Sequence, residues 1–182
     1  DMPFMSYQTG ISDAISNAGR LIKEGGAQSV KLEGGEKVAT TVARIVDCGI
    51  PVMGHIGLTP QSVNQLGGYK VQGKSEKEKE QLIEDAKAIE NAGAYSIVLE
   101  LVKSDLAEEI TKEISIPTIG IGSGPNCSGQ IQVIHDVLGL SLGESYKHSR
   151  QYLDLRKSIT EALKQYLKDS NSGDFPSSKE SF

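Results

Sequence analysis

The sequence predicts an α/β fold built on a parallel sheet. Short apolar runs rich in β-branched residues recur along the chain, and they are nearly continuous rather than alternating, as for strands buried on both faces. Helical stretches separate them. Three of these helices close on glycine (Gly25, Gly49 and Gly93) shortly before the next run begins. A strand–helix repeat of this kind gives parallel strands joined by right-handed crossovers.

In order, residues 12–24 read as a helix opening after Ser12 and closing at Gly25-Gly26. Residues 28–32 (QSVKL) read as a strand, and residues 36–47 as a helix ending at Gly49. IPVMG (50–54) is a second strand. Residues 76–91 form a helix that places Leu82, Ala86 and Ile89 on one face. YSIVLEL (95–101) is a third strand, and residues 104–114 form a helix that Ser104 can cap. IPTIGI (116–121) is a fourth strand, while residues 131–134 fit either a strand or a helix start. Beyond Gly143 the alternation stops. Residues 148–168 are expected to be helical, with Leu153, Ile159, Leu163 and Leu167 buried, and residues 169–182 to form a loose polar tail.

An open doubly wound sheet and a (β/α)₈ TIM barrel both accommodate this repeat. The barrel is preferred because polar residues cluster just after the strands (Glu33, His55, Glu100 and the GIGSG run), and a barrel gathers its strand ends on one face. A barrel needs about 250 residues, roughly 70 more than are present, so either the fold is a smaller open sheet or the first strands are absent. One domain over 1–182 is expected, with barrel elements over 1–143 and a helix and tail over 144–182.

The net charge of −5 argues against nucleic acid, since no basic patch is present to neutralise phosphates. The lysines of 74–84 alternate with glutamates, which is a solvated helix face. No apolar run is long enough to span a membrane. Cys48 and Cys127 form no CxxC pair and have no histidine at ligand spacing, so both read as reduced thiols and not as zinc ligands.

Three carboxylates stand out. Glu33 follows an apolar run and precedes Gly34-Gly35, Glu100 sits within VLELV, and Asp1 precedes MPFM as if ending a strand. A carboxylate in a buried strand is costly unless paired or metal-bound. Singly, a structural ion pair explains each as well as catalysis does; three at strand ends point to a site, and hard oxygen ligands suit Mg²⁺. Lys31, two residues before Glu33, faces the same way in a strand. It is either a structural partner of Glu33 or a cation for an acidic substrate. His55 is either a hydrogen-bonded structural residue or a site residue; His135 and His148 read as structural. The glycines of 120–124 resemble a phosphate loop but lack the Walker Lys-Ser/Thr and the GxGxxG spacing.

DMPFM (1–5), VKLEGG (30–35), GHIGLTPQSVNQLGGYKVQG (54–73), VLE (98–100), IGIGSG (119–124), GQIQVIHD (129–136) and FPSSKESF (175–182) together resemble the successive motifs of the ketopantoate hydroxymethyltransferase family. The central block is the most specific of them. The resemblance implies a (β/α)₈ barrel of the phosphoenolpyruvate/pyruvate class, a decamer, and a cytoplasmic enzyme (mitochondrial in some eukaryotes) of pantothenate biosynthesis. It implies hydroxymethyl transfer from 5,10-methylenetetrahydrofolate to 3-methyl-2-oxobutanoate, giving 2-dehydropantoate. It also implies that Asp1 and Glu33 hold Mg²⁺, that Asp1 and Lys31 bind the oxo acid, that Glu100 accepts a proton and that His55 lines the site. The family begins before DMPF, and its earlier strands carry an Asp-Ser motif that would complete the metal site; a separate chain could supply it. Ser128 stands where many relatives have Asp, which implies a local capping difference. Two rivals remain at this stage: another Mg²⁺-dependent 2-oxo-acid lyase or aldolase of the same fold, and a non-catalytic oligomerising fragment.

Overall fold

The computed structural model describes residues 1–143 and 146–182. The chain divides into two compact units, Asp1–Ile131 and Gln132–Phe182. The expected boundary after Gly143 adjoins Glu144 and Ser145, which lie outside the described residues.

The first unit carries α1 (Ile11–Lys23), β1 (Val30–Glu33), α2 (Glu36–Asp47), β2 (Val52–Gly57), a 3-10 turn (Pro60–Ser62), α3 (Val63–Leu66), α4 (Glu76–Asn91), β3 (Ser96–Glu100), α5 (Ser104–Glu113), β4 (Thr118–Ile121) and β5 (Gly129–Gln130). The five strands are parallel and lie in chain order, β1-β2-β3-β4-β5. This order separates the two folds left open by the repeat. A doubly wound sheet reverses its strand order at a switch point. Here each right-handed crossover adds a strand on the same side, which keeps the helices on one face and leads into a barrel.

The core is the layer between sheet and helices: Leu32, Ile45, Ile56, Ile89, Ile97, Leu99, Leu106 and Ile110 have almost no exposure. Leu82, Ala86 and Ile89 of α4 are buried as expected, and a Ser75–Glu78 capping box starts that helix. Gly54 is required in this layer, because a Cβ there would lie 2.4 Å from the Ile89 side chain.

The strands run one to three residues later than expected at several ends. Pro51 and Pro117 have no ladder donor and enter the sheet only through their carbonyls, which accept from the Val30 and Ile97 amides, so β2 and β4 begin one residue later; β2 also runs on to Gly57, which places His55 within it instead of after it. Gly10, not Ser12, precedes α1, and α5 begins at Ser104 with Lys103 as an uncapped N-cap. Of the two readings of the run 131–134, the helix start holds at its last residue: β5 ends before the run, and α6 (Ile134–Leu138) starts at Ile134.

In the second unit the long helix is α7 (Leu155–Ser172), not 148–168. Its start is set by Asp154, whose carboxylate accepts from the Lys157 amide at 3.1 Å, and its end by Gly173 in the left-handed region. Leu153, Ile159, Leu163 and Leu167 are exposed, contrary to expectation, since α7 buries no residue. No helix among the described residues is long and apolar enough to cross a membrane.

Candidate active site

β1, β2 and β3 present alternate side chains to the face of the sheet opposite the helices. Leu32 and Ile56 enter the core, so Lys31, Glu33 and His55 point the other way. Register sets Glu33 opposite His55, and Gly57 opposite Glu100. The sequence-predicted residues therefore meet. His55 Nε2 lies 3.1 Å from Glu100 Oε2, and His55 Nδ1 lies 3.9 Å from Glu33 Oε1 and 3.3 Å from Lys31 Nζ. Lys31 Nζ donates to Asp1 Oδ1 at 2.9 Å. Asp1 reaches the cluster because the Met2 amide donates to the Lys31 carbonyl at 2.9 Å, continuing the ladder past β1.

The imidazole is almost fully buried, and its Nε2 has no aligned hydrogen-bond partner despite the nearby Glu100 carboxylate. An ammonium has only donors, so a charged Lys31 makes Nδ1 the acceptor and leaves the proton on Nε2, facing Glu100. Burial pushes the Lys31 pKa down, opposed by attraction to Glu33 and Glu100.

Two participants escaped the sequence reading. The Tyr7 hydroxyl accepts from the Glu33 amide at 3.2 Å and donates to Gln61 Oε1 at 3.0 Å. Burial pushes its pKa up to about 12, with the Glu33 carboxylate acting in the same direction against a backbone hydrogen bond. The Gln61 amide donates to Glu33 Oε2 at 2.9 Å, and its Nε2 donates to the Met2 carbonyl at 2.8 Å. Gln61 lies inside the block 54–73, but only the fold shows which of its polar residues turns inward.

The GIGSG run is structural. Ser123 is buried, donates to the Leu99 carbonyl at 2.7 Å and accepts from the Val102 amide at 3.0 Å, tying down the end of β3. Ser128 accepts from the Thr118 amide at 3.2 Å, a local cap on β4. His135 and His148 lie in the second unit, where both are exposed.

Among the described residues no three or more His, Cys, Asp or Glu side chains form a metal cage. The available donors are the carboxylates of Asp1 and Glu33. Such a set fits Mg²⁺, which takes one or two protein carboxylates and fills its other positions with water and substrate oxygens. It does not fit an ion that demands an all-protein shell. A cavity of about 880 Å³ opens beside Glu33, lined by Tyr7, Gln8, Thr59, Gln72 and Asp85 among others; Lys31, His55 and Glu100 do not line it, so it adjoins the cluster.

Parallel strands in chain order, with carboxylates, a lysine and a histidine gathered on the face away from the helices, are the arrangement of a (β/α)₈-barrel enzyme. Residues 1–178 match the family described as ketopantoate hydroxymethyltransferase, and the chain belongs to that family. Across its whole length it is 57% identical to the 3-methyl-2-oxobutanoate hydroxymethyltransferase of Geobacter metallireducens, covering 68% of that protein. It is 60% identical to the protein of the same name from Dehalococcoides mccartyi, covering 65%, and 59% identical to that of Carboxydothermus hydrogenoformans, covering 66%. The chain thus spans about two thirds of the length of these relatives.

Proposed function

We propose that the protein takes part in hydroxymethyl transfer to 3-methyl-2-oxobutanoate, the reaction its relatives' name describes, with 5,10-methylenetetrahydrofolate as the donor and 2-dehydropantoate, on the way to pantothenate, as the product. The observation that carries this reading is the convergence of Lys31, Glu33, His55 and Glu100 on one face, with Asp1 joined through Lys31.

Asp1 and Glu33 would hold Mg²⁺, which supplies Lewis acidity toward the keto and carboxylate oxygens of the oxo acid. Lys31 offsets the negative charge of the substrate. Water hydrolyses the methylene group off the folate, breaking its two C–N bonds to release formaldehyde and tetrahydrofolate; Glu100 removes the proton at C3, and the resulting carbanion equivalent adds to the formaldehyde carbon, whose oxygen takes up a proton as the new hydroxyl. His55 holds the Glu100 carboxylate. Assembly into an oligomer, a decamer by family resemblance, accords with the apolar stripe of Ile159, Leu163, Tyr166 and Leu167 left exposed on α7.

The test is hydrogen–deuterium exchange at C3 of 3-methyl-2-oxobutanoate, followed by proton NMR in D₂O with the full-length protein. Exchange that requires Mg²⁺ and is lost in Glu100→Gln is the expected result. No exchange from folded, Mg²⁺-loaded protein, with or without the folate, would overturn the assignment.

A further inference from the structure

We infer that Tyr7 and Gln61 form a clamp that positions the two candidate metal carboxylates relative to each other. This deepens the proposed function and rests on it. Both are positioning residues.

The geometry is specific. Gln61 uses three polar atoms on the two segments that bear these carboxylates. Its backbone amide occupies Glu33 Oε2 at 2.9 Å, which leaves Oε1 as the oxygen turned toward His55. Its Nε2 binds the carbonyl of Met2, the residue attached to Asp1, at 2.8 Å. Its Oε1 accepts from the Tyr7 hydroxyl at 3.0 Å and from Gln8 Nε2 at 3.1 Å. Tyr7 completes the circuit, since its hydroxyl also takes the backbone amide of Glu33 at 3.2 Å. A carboxylate with one oxygen already committed presents the other singly, and partners that fix a ligand's orientation set metal affinity.

The loop bearing Gln61 is itself fastened to the base. The Leu58 amide donates to the Glu100 carbonyl at 2.7 Å, and the Gln72 amide donates to the Leu101 carbonyl at 2.7 Å. The clamp therefore joins Asp1, Glu33 and the strand that carries Glu100.

The experiment measures Mn²⁺ affinity by electron paramagnetic resonance on the full-length protein, alongside kcat and KM. The variants are Tyr7→Phe, which removes one oxygen atom, Gln61→Met, and Gln61→Glu, which keeps an acceptor for Tyr7 but loses the donor to Met2. Glu33→Gln reports the metal site itself, and Asn64→Ala serves as a control on the exposed side of the loop. Tyr7→Phe and Gln61→Met are expected to weaken Mn²⁺ binding about 10-fold, with kcat falling at saturating metal. Gln61→Glu is expected to lie between parent and Gln61→Met, and Asn64→Ala to match the parent. If Glu33→Gln abolishes binding while Tyr7→Phe and Gln61→Met stay within about twofold of the parent, where a 10-fold loss is expected, the clamp is overturned and the site reading survives. Failure of the folded parent to bind Mn²⁺ overturns both.

Discussion

The buried imidazole of His55 lies 3.1 Å from the carboxylate of Glu100, across the boundary between two neighbouring strands. With a charged Lys31 on the Nδ1 side, a neutral ring carries its proton on Nε2, the nitrogen nearer Glu100. Glutamine reaches far enough to return an N–H to the Nε2 position, whereas asparagine ends near Nδ1. His55→Gln should therefore keep more activity than His55→Asn, which should lose on the order of 100-fold in kcat, the lower range for a group acting in proton transfer. Steady-state kinetics on the two variants decide this; equal losses would remove the orienting role.

Lys31 sits in the site at a cost to the fold. Its folded pKa lies below its unfolded value, mainly through burial. Its contribution is thus unfavourable below the folded pKa and disappears as pH rises past the unfolded one. The stability of Lys31→Met relative to the parent should be higher at neutral pH than above about pH 10.5, while oxo-acid binding collapses. Calorimetry at both pH values, with substrate titration, checks each half.

Tyr7 gives the opposite sign. Its pKa is raised from 10.0 to about 12, so its stabilisation is complete below pH 10 and is lost as pH climbs through 12. In an ultraviolet titration one tyrosine should ionise well after the others. Tyr7→Phe should remove that late step. A late step that survives in Tyr7→Phe would show that another tyrosine is responsible.

Gly57 leaves room where two strand ends meet. It has φ +91°, and an added Cβ would stand 2.4 Å from the Glu100 carbonyl oxygen. Gly57→Ala combines left-handed strain with that collision and should cost about 1–3 kcal/mol. Because the displaced partner is Glu100, proton exchange at C3 should fall further than stability alone explains. Chemical denaturation and the NMR exchange assay, run on the same sample, separate the two effects.

Much of the candidate site was legible in the sequence. The alternation that places Lys31 and Glu33 together follows from strand geometry, and the glycine-terminated helices 36–47 and 76–91 stand where their periodicity put them. Their buried faces are local patterns. Tyr7 and Gln61 were not legible, because their roles depend on contacts between residues 26 and 54 positions apart. The apolar positions of α7 misled for a related reason. Period 3.6 marks one apolar face, and within its own unit nothing buries that face.

Lys31 holds the dipeptide Asp1-Met2 at two points, with its carbonyl on the Met2 amide and its ammonium on the Asp1 carboxylate. A single attachment is a pivot, about which a segment can turn. Two attachments to one residue, on its main chain and on its side-chain tip, make a bracket. Asp1 is therefore fixed in direction as well as in place, and the Gln61 side chain on the Met2 carbonyl braces the bracket from the other side.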